Sequence, residues 1–542
     1  MSRGISCRVR LSVMVLASVA VVSAASTPVR IWASPASQVS GQIIDVPAGG
    51  SLQAALNLVQ PGGTVRLAAG ATYVGSFTLP AKGGTEYILI TTGGTTLPPP
   101  GTRIGPGYKP RLATIRSAST SNALATAAGA SYYRIVGVAF EANQNGEGDI
   151  IALGHSSQTT LASVPHHIEF DRVLISGDPT VGQKRAIAAN AAHVTITNSD
   201  IRNIKAVGQD SQAIAAWNSP GPFVIRNNYL QAAGENVMFG GAHINIPGLV
   251  PSDITVEDNV LTKDPMWKGT SWTVKNLFEL KNARRVTVRR NVMQYNWGGA
   301  QAGYAIVLTP RNSSGQTPWV VVEDVEFSGN VVVHAGGGFN LLGRDNNNTS
   351  GLLARVLIKD NLVYDIDDTW EGSGTFAQIG GGPRDVTFDH NTVMHSGNIL
   401  TFYGSTLLDA NGLPVPVEPV LGFVFTNNLL KHNIYGIFGD SGKGYGSQAL
   451  AFYAPGAIVR RNAMATDKSI ASRYPPDNEF PSVAHFTASF QNAAAHDYRL
   501  MAGSTFVNAG TDGRNLGSDF TMLSAYLPPV SPGGFRVQRV VR

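Results

Sequence analysis

The 542-residue sequence predicts an all-β fold: a single-domain right-handed parallel β-helix with three strands per coil and about ten coils. Three observations predict it. An alternating strand pattern that ends in Asn recurs every 30 to 39 residues, a more apolar strand lies between successive copies, and a short amphipathic helix precedes the first coil. Strands repeated at this spacing are too frequent for independent domains, so each repeat is one unit of a solenoid.

Residues 1–24 are predicted to be a secretory signal peptide. Three arginines precede a 12-residue apolar run, and a small-residue cleavage site follows. Three of the 41 basic residues lie in this leader, which leaves 38 against 36 acidic residues, a formal charge of +2. We therefore expect a secreted or periplasmic protein that does not bind nucleic acid.

The only cysteine, Cys7, also lies in the leader. Without it, the mature chain cannot form disulfides, use thiolate catalysis or bind zinc through cysteine. No other apolar run approaches the 18 residues of a membrane span. We expect a monomer without a membrane span, stabilised by packing and hydrogen bonds.

The predicted β-helix domain covers residues 41–520, with residues 521–542 as a tail. At its start, residues 51–59 combine a Ser cap with an apolar helical face, and the strand 64–68 follows. Such a helix would cover the exposed strand edge at the end of the coil. At the other end, residues 497–520 are rich in turns and out of period, as a terminal cap should be.

An Asn follows the alternating strand at the same place in eight copies. These residues are Asn228, Asn259, Asn291, Asn330, Asn361, Asn391, Asn428 and Asn462. Asn tolerates the left-handed backbone conformation of a tight bend, and stacked amides can hydrogen-bond from coil to coil. We therefore predict a structural Asn ladder and exclude these residues from the active site.

The strands between the copies carry most of the candidate functional residues. In the segment KNLFELK, Lys275, Glu279 and Lys281 share one parity, whereas Phe278 and Leu280 take the other. Because burying an unpaired charge is prohibitive, we expect the charged set to face solvent.

The neighbouring coils extend this charged patch. The alignment places Glu235 level with Lys275 one coil earlier and Arg311 one coil later, and a further coil adds Arg344. A salt-bridge ladder on a solvated face is the simpler interpretation. Nearby aromatic residues favour a sugar-binding groove instead. These aromatic residues are Tyr295, Trp297, Tyr304 and, in an acidic turn, Trp370.

The chain resembles the pectin-lyase-like superfamily of right-handed β-helix proteins over residues 41–520. The resemblance rests on the N-terminal segment IDVPAGGSLQAALNLVQPGGTVRLAAGATY, the repeat with its Asn bend and the C-terminal segment NAGTDG. It implies an extended carbohydrate bound on the outer face of the coil. The superfamily contains lyases, hydrolases, epimerases and adhesins, so the resemblance does not choose among these functions.

A polysaccharide lyase is the function we predict first. Elimination across a uronic acid needs a cation or strong donor at the carboxylate and a base for the neighbouring C5 proton. A lysine flanked by other cations can act as such a base. We assign Lys281 as the base and Arg311 as the carboxylate clamp or proton donor. The segment from LFELKN to LTPRN is similar to the Lys and Arg spacing of the alginate lyase and chondroitinase B group.

Two other functions remain open from the sequence. A glycoside hydrolase needs two carboxyl groups a few ångströms apart, for which Glu235 with Glu279 is one candidate pair. The turn YDIDDTWEGSG is another candidate, although it also fits a solvated turn or a calcium site. The third possibility is a non-catalytic carbohydrate-binding or surface protein. We predict no resident metal except calcium as an optional cofactor.

Overall fold

The computed structural model describes residues 41–404 and 417–523, and these form a parallel β-helix. The predicted signal peptide and most of the predicted tail lie outside the described residues. Three long parallel sheets run along the coil, and each strand pairs with the equivalent strand one coil away. In the described residues the sheets hold 12, 14 and 13 strands, so the coils outnumber the expected ten. The additional coils lie at the N-terminal end, before the strand His166–Asp171.

We call the three sheets sheet 1, sheet 2 and sheet 3. The strands of sheet 1 are Phe77–Leu79, Leu124–Thr126, Asp149–Leu153, Arg185–Ala189, Gln212–Ala216, Glu235–Phe239, Asn276–Leu280, Tyr304–Leu308, Gly337–Leu342, Thr375–Gly380, Leu400–Tyr403 and Ile437–Gly439. This sheet corresponds to the more apolar strands between the Asn copies.

Sheet 2 holds the alternating strands that precede the ladder. They are Ile43–Val46, Thr64–Leu67, Ile88–Thr92, Ser131–Val136, His166–Asp171, Ala192–Thr197, Phe223–Arg226, Ser252–Glu257, Ala283–Arg289, Val322–Ser328, Leu353–Lys359, Arg384–Asp389, Val424–Thr426 and Ile458–Arg460.

Sheet 3 holds the short strands that follow the ladder. They are Thr72–Val74, Ala113–Arg116, Val138–Glu141, Leu174–Ser176, Asp200–Ile204, Tyr229–Ala232, Val260–Thr262, Val292–Asn296, Val331–Ala335, Leu362–Ile366, Thr392–His395, Leu429–Lys431 and Ala463–Ala465. The inward side chains of all three sheets form one continuous apolar core.

The few helices lie in loops and at the ends of the coil. The α-helices are Leu52–Leu58, Ser447–Tyr453, Val483–Ala488 and Phe520–Leu523, and the 3-10 helices are Pro106–Arg111, Gln144–Gly146, Leu161–Ser163, Pro265–Trp267, Asp368–Trp370, Ala471–Arg473 and Ala493–Ala495. The first α-helix confirms the predicted N-terminal cap, because Ser51 Oγ accepts a hydrogen bond from Ala54 N at 3.3 Å. No helix in the described ranges is long and apolar enough to cross a membrane.

The C-terminal segment packs against the outside of sheet 3. A two-stranded antiparallel hairpin pairs Phe490–Asn492 with Asp497–Leu500. Apolar side chains from this segment, including Phe506 and Leu516, pack on Val331 and Leu362 of sheet 3. The out-of-period sequence therefore covers a face of the β-helix.

The Asn ladder is confirmed and runs through the bend between sheets 2 and 3. From Asn259 to Asn462, each ladder amide oxygen accepts hydrogen bonds from the main-chain N–H and the side-chain amide of the preceding Asn, at 2.9 to 3.1 Å. All eight side chains are fully buried. Ser199 begins the ladder and Asn478 ends it.

The predicted left-handed conformation lies one residue earlier than expected. The residues with positive φ are those that precede each ladder Asn: Asn227, Asp258, Arg290, Gly329, Asp360, His390, Asn427 and Arg461. The bend therefore tolerates several residue types at the strained position. The Asn is needed for its buried amide, which has a donor and an acceptor for the neighbouring coils.

Candidate active site

A cleft of about 290 Å³ lies on the outer face of sheet 1. Its lining residues are Glu279, Lys281, Gln301, Ala302, Tyr304, Val307, Thr309, Arg311 and Asn340. Four of them are residues predicted from the sequence: Glu279, Lys281, Tyr304 and Arg311. The cleft therefore brings together the two residues assigned to the lyase reaction.

Lys281 directly follows the strand Asn276–Leu280. Its main-chain N–H donates to Phe239 O at 2.7 Å, and its carbonyl accepts from Arg311 N at 2.9 Å. The parallel register therefore stacks Lys281 and Arg311 on consecutive coils. Lys281 Nζ lies 3.3 Å from Glu279 Oε1, and its side chain is 15% exposed.

A glycine pair on the preceding coil leaves room for the Lys281 side chain. Gly240 and Gly241 both have positive φ, and a Cβ at position 241 would lie 2.8 Å from Lys281 Cδ. Only glycine combines this backbone conformation with so close an approach. The pair therefore fixes the path of the Lys281 side chain across the sheet.

Arg311 is held at the edge of the cleft by the next coil. Its Nη1 lies 3.2 Å from Asp345 Oδ1 and also donates to Asn346 Oδ1. Asp345 is fixed in turn, because its Oδ2 accepts from Asn312 N at 2.7 Å. Within the described residues both side-chain contacts of Arg311 use Nη1, which leaves the Nε and Nη2 donors for an anionic ligand.

Glu235 and Lys275 lie on adjacent coils and form an ion pair, but they do not have the predicted register. Glu235 lies level with Asn276 rather than with Lys275, because Lys275 stands one residue before the strand. Lys275 Nζ reaches back to within 3.4 Å of Glu235 Oε1 and 2.6 Å of Asp210 Oδ2. Gln212 Nε2 donates to Glu235 Oε2 at 2.8 Å.

The expectation that this charged set faces open solvent is wrong for its carboxylates. The Glu235 side chain is 0% exposed and that of Glu279 is 2% exposed. Asn276 Nδ2 contacts both Glu279 Oε2 at 3.2 Å and Gln301 Oε1 at 3.0 Å, and so helps to enclose the pair. The side chains point outward from the sheet, but neighbouring loops and coils cover them.

The buried carboxyl group of Glu235 has an unusual pKa. Desolvation, followed by the nearby negative charges of Glu279 and Asp210, raises the pKa of Glu235 to about 7. For its partner Lys275, burial lowers the pKa, but the carboxylates of Glu235 and Asp210 outweigh this effect and raise it. A charged Lys275 therefore accompanies a carboxyl group that titrates near neutral pH.

Only one of the four predicted aromatic residues lines the cleft. The ring of Tyr304 lies over Gly337 of the next coil, and its hydroxyl is 3.4 Å from Ser373 Oγ. Tyr295 and Trp370 lie at the corner between sheets 3 and 1, where their ring centroids are 5.7 Å apart. Trp297 is only 2% exposed at the same corner, so its ring cannot reach a substrate.

Arg344 does not line the cleft. Its Nε lies 3.1 Å from Glu418 Oε2, and its Nη1 is 3.4 Å from Ser350 O. The turn after the strand Gly337–Leu342 directs the side chain toward these partners. Arg344 therefore belongs to a partly exposed ion pair beside the site rather than to the cleft itself.

The acidic turn has structural partners in place of a carboxylate pair. Asp367 caps the short helix Asp368–Trp370 by accepting from Thr369 N at 2.9 Å. Asp365 bonds to His334, and Glu371 lies 3.6 Å from Lys268 Nζ. In the described part of the chain, no three His, Cys, Asp or Glu side chains form a group that could hold a metal. The described acidic turn therefore gives no side-chain observation in favour of calcium.

Several cleft residues were not predicted from the sequence. Gln301 and Thr309 belong to loops, whereas Asn340 is a polar residue between the buried Phe339 and Leu341. A polar residue within an apolar strand is a sequence signal that could have identified Asn340 as outward-facing.

Tyr403 is a further residue near the cleft that the sequence did not reveal. Its ring covers Gly380, its register partner. Burial raises the pKa of Tyr403 to about 12, against the opposing charge of Arg311. Tyr403 therefore lies within electrostatic reach of the cleft.

Comparison with solved structures supports the fold. A mannuronic-acid-specific family 6 polysaccharide lyase from human gut microbiota aligns with a TM-score of 0.50 and 15% identity, over 80% of this chain and 88% of that lyase. A family 6 alginate lyase aligns with a TM-score of 0.49 and 16% identity. The alignment covers 81% of this chain and 53% of the alginate lyase. The catalytic domain of an α-1,3-glucanase aligns with a TM-score of 0.41 and 11% identity, over 82% of this chain and 68% of that one.

The alignment with the mannuronic-acid-specific lyase, at a TM-score of 0.50, shows a structural similarity to a polysaccharide lyase. The identity is low, so what the alignment establishes is the shared fold. No protein-family model matches the sequence, and no curated protein matches it. The choice of reaction therefore depends on the side chains of the cleft.

Proposed function

We propose that this protein is a polysaccharide lyase that cleaves a uronic-acid-containing glycan by β-elimination. The observation that carries this proposal is the placement of Lys281 and Arg311 in one cleft from consecutive coils. One group can accept a proton and the other can bind a carboxylate, which are the two requirements of the reaction. The distant similarity to polysaccharide lyases is consistent with this proposal.

The reaction assigns a separate role to each cleft residue. Arg311 binds the uronic carboxylate and stabilises the negative charge that develops when the neighbouring C5 proton is removed. Lys281 Nζ takes that proton. The bond between C4 and the glycosidic oxygen then breaks, and a C4–C5 double bond forms.

Tyr304 is the proton donor for the departing oxygen in this scheme. Tyr304 lines the cleft, and burial raises the pKa of its hydroxyl, which keeps that hydroxyl protonated at neutral pH. Glu279 Oε1, 3.3 Å from Lys281 Nζ, is an acceptor through which the lysine can lose its proton before the next cycle.

Glycoside hydrolysis is the second candidate, and one observation favours it. A pKa of about 7 for Glu235 would suit a general acid beside the Glu279 carboxylate. However, Glu235 is fully buried, is held by Gln212 and Lys275, and does not line the cleft. A glycosidic oxygen would have to reach this carboxyl group, so the lyase is better supported.

A panel of polysaccharides tests the reaction class. The mature protein is incubated with alginate, polygalacturonate, chondroitin sulfate and a neutral α-glucan. We expect new ultraviolet absorbance from unsaturated ends with at least one uronic-acid polymer. New reducing ends without absorbance would indicate a hydrolase, and retention without cleavage would indicate a binding protein.

Variants of the cleft test the site. We expect Lys281→Ala and Arg311→Ala each to lower kcat by about 10²- to 10⁴-fold, the range for loss of a positioned proton-transfer or charge-stabilising group. Lys359→Ala is the control, because Lys359 lies on sheet 2 and forms only a partly exposed pair with Glu326. Full activity in both cleft variants would contradict the proposed site.

Export is part of the same proposal. Residues 1–24 would direct the chain out of the cytoplasm. Large polysaccharide substrates are found outside the cytoplasm, so export would bring the protein to them. Mass spectrometry of the mature N terminus tests this, and an intact leader on the exported protein would contradict it.

A further inference from the structure

A row of outward-facing side chains continues from the cleft toward the C-terminal end of sheet 1. Strand register places its members directly over one another on six consecutive coils. The row consists of Glu279, Val307, Asn340, Gln378, Thr401 and Phe438. Its first three members line the cleft, so the cleft and the row are one continuous surface.

The exposure of the row increases away from the cleft. Glu279 and Val307 are buried, whereas the four later members are half-buried. The strand neighbours of Gln378, Ala377 and Ile379, belong to the core. The later side chains therefore present an amide, a second amide, a hydroxyl and then an aromatic ring to solvent.

The far end of the row is an aromatic platform. The rings of Phe438 and Tyr435 are stacked, with centroids 5.1 Å apart and planes 27° apart, and Tyr435 is 48% exposed. The platform is tied to the row, because Asn398 Oδ1 accepts from Tyr435 N at 3.1 Å and Asn398 Nδ2 donates to Thr401 Oγ1 at 3.2 Å. Tyr435 is therefore held in place by the same coil that carries Thr401.

Positive charge lies beside this platform. The Tyr445 ring is 6.2 Å from Tyr435, and the Arg473 guanidinium lies 4.8 Å from the Tyr445 ring. Aromatic faces beside a cation suit an anionic sugar, because the ring contacts the C–H face of the pyranose while the cation attracts its carboxylate.

We propose that Tyr435 and Phe438 form a distal sugar-binding position, which a glycan that runs along this row parallel to the helix axis reaches from the cleft. The inference rests on the proposed function for the uronic-acid nature of the glycan. Adjacent strands lie ~4.8 Å apart, so the five intervals from Glu279 to Phe438 span about 24 Å, enough for several sugar units. Amides and hydroxyls along this path match the hydroxyl groups of a sugar chain.

Calorimetric binding tests the surface without depending on cleavage. Oligosaccharides of mannuronic, guluronic and galacturonic acid, from two to eight units, are titrated into the full-length mature protein carrying Lys281→Ala. We expect the affinity for at least one series to increase with length. Adding Tyr435→Ala should lower the affinity for the octasaccharide about three- to tenfold, the size of one aromatic contact.

Phe452→Ala is the matched control. Phe452 is an aromatic residue of similar exposure, 42%, but it lies on the helix Ser447–Tyr453 and outside the row. We expect this variant to keep the octasaccharide affinity. The inference is wrong if affinity does not depend on length, if no series binds, or if Tyr435→Ala behaves like Phe452→Ala. Uronan cleavage by the wild type together with any of these results would overturn the distal sugar-binding position and leave the lyase proposal standing.

Discussion

Replacing one ladder residue, Asn330→Ala, tests how the β-helix is held together. The Asn330 side chain is fully buried and takes part in five hydrogen bonds. Its oxygen accepts from Asn291 N and Nδ2 at 2.9 and 3.0 Å. Its nitrogen donates to Val288 O, Ser328 O and Asn361 Oδ1 at 2.9, 3.2 and 3.1 Å.

The expected loss of stability follows from these bonds. A buried hydrogen bond contributes about 1 kcal/mol net, and a buried group left without its partner costs about as much or more. The amide nitrogen has only two N–H groups for its three acceptors, so the five contacts amount to about four full hydrogen bonds and about 4 kcal/mol, which is a large share of the stability of a typical protein. A cavity alone would cost less, because the truncated side chain is small.

Urea unfolding followed by tryptophan fluorescence measures this difference. Asn57→Ala is the control, since Asn57 is exposed on the N-terminal helix and accepts one hydrogen bond, from Gln53 Nε2. We expect the control to change the free energy of unfolding by less than about 0.5 kcal/mol. A loss below about 1 kcal/mol for Asn330→Ala would refute the ladder as a main source of stability.

Three further predictions concern a buried lysine, two buried histidines and a glycine beside the cleft. Lys263→Met should lower the free energy of unfolding by about 3 kcal/mol or more in urea titrations, because the three N–H groups of Lys263 Nζ are shared among four main-chain carbonyl oxygens at 2.7 to 3.1 Å; an unchanged midpoint would contradict this. Burial lowers the pKa of His395 and of His432 to about 4. Since the unfolded chain takes up these protons near pH 6.5, the histidine contribution to stability should be intact above that pH and fall by about 2 kcal/mol per histidine at pH 5. The same titrations at pH 7 and 5 check this when the wild type is compared with a variant that lacks both histidines, because the comparison cancels groups such as Glu235 that titrate in the same range; the same pH difference in both proteins would contradict it. Gly241→Ala should lower kcat by about tenfold or more in the absorbance assay, because the added Cβ displaces Lys281; wild-type turnover would contradict it.

The repeating part of the fold was predictable from the sequence because each element has a local signal. The alternation before each Asn predicts the strands of sheet 2, and the buried amide explains the Asn itself. The left-handed residue was predicted one position too late, because Asn suits both a left-handed backbone conformation and a ladder of amide hydrogen bonds. The structure separates them: Arg290 takes the strained conformation, and Asn291 makes the ladder bonds.

The site was only partly predictable because its contacts come from loops of different lengths. Strand register places Lys281 beside Arg311, and this stacking follows from the repeat. The partners that bury the charges do not follow from the repeat. Asp210 contacts Lys275 and Gln301 contacts Asn276, and both partners lie in loops whose paths the sequence pattern does not encode.

The same difficulty explains the aromatic residues. Trp297 follows its strand at the corner between sheets 3 and 1, and nearby loops cover it. Polarity alone therefore could not distinguish it from Tyr304, which does line the cleft. The outward row toward Phe438 becomes visible only when strand register is known.

The most direct test of the central claim is the mass of the products released from a uronic-acid polymer. β-Elimination by the wild-type protein predicts oligosaccharides that are lighter by one water than hydrolysis products and that absorb in the ultraviolet. Their formation should be lost in Arg311→Ala and retained in Lys359→Ala. Saturated products of hydrolytic mass, or undiminished unsaturated products from Arg311→Ala, would contradict the account.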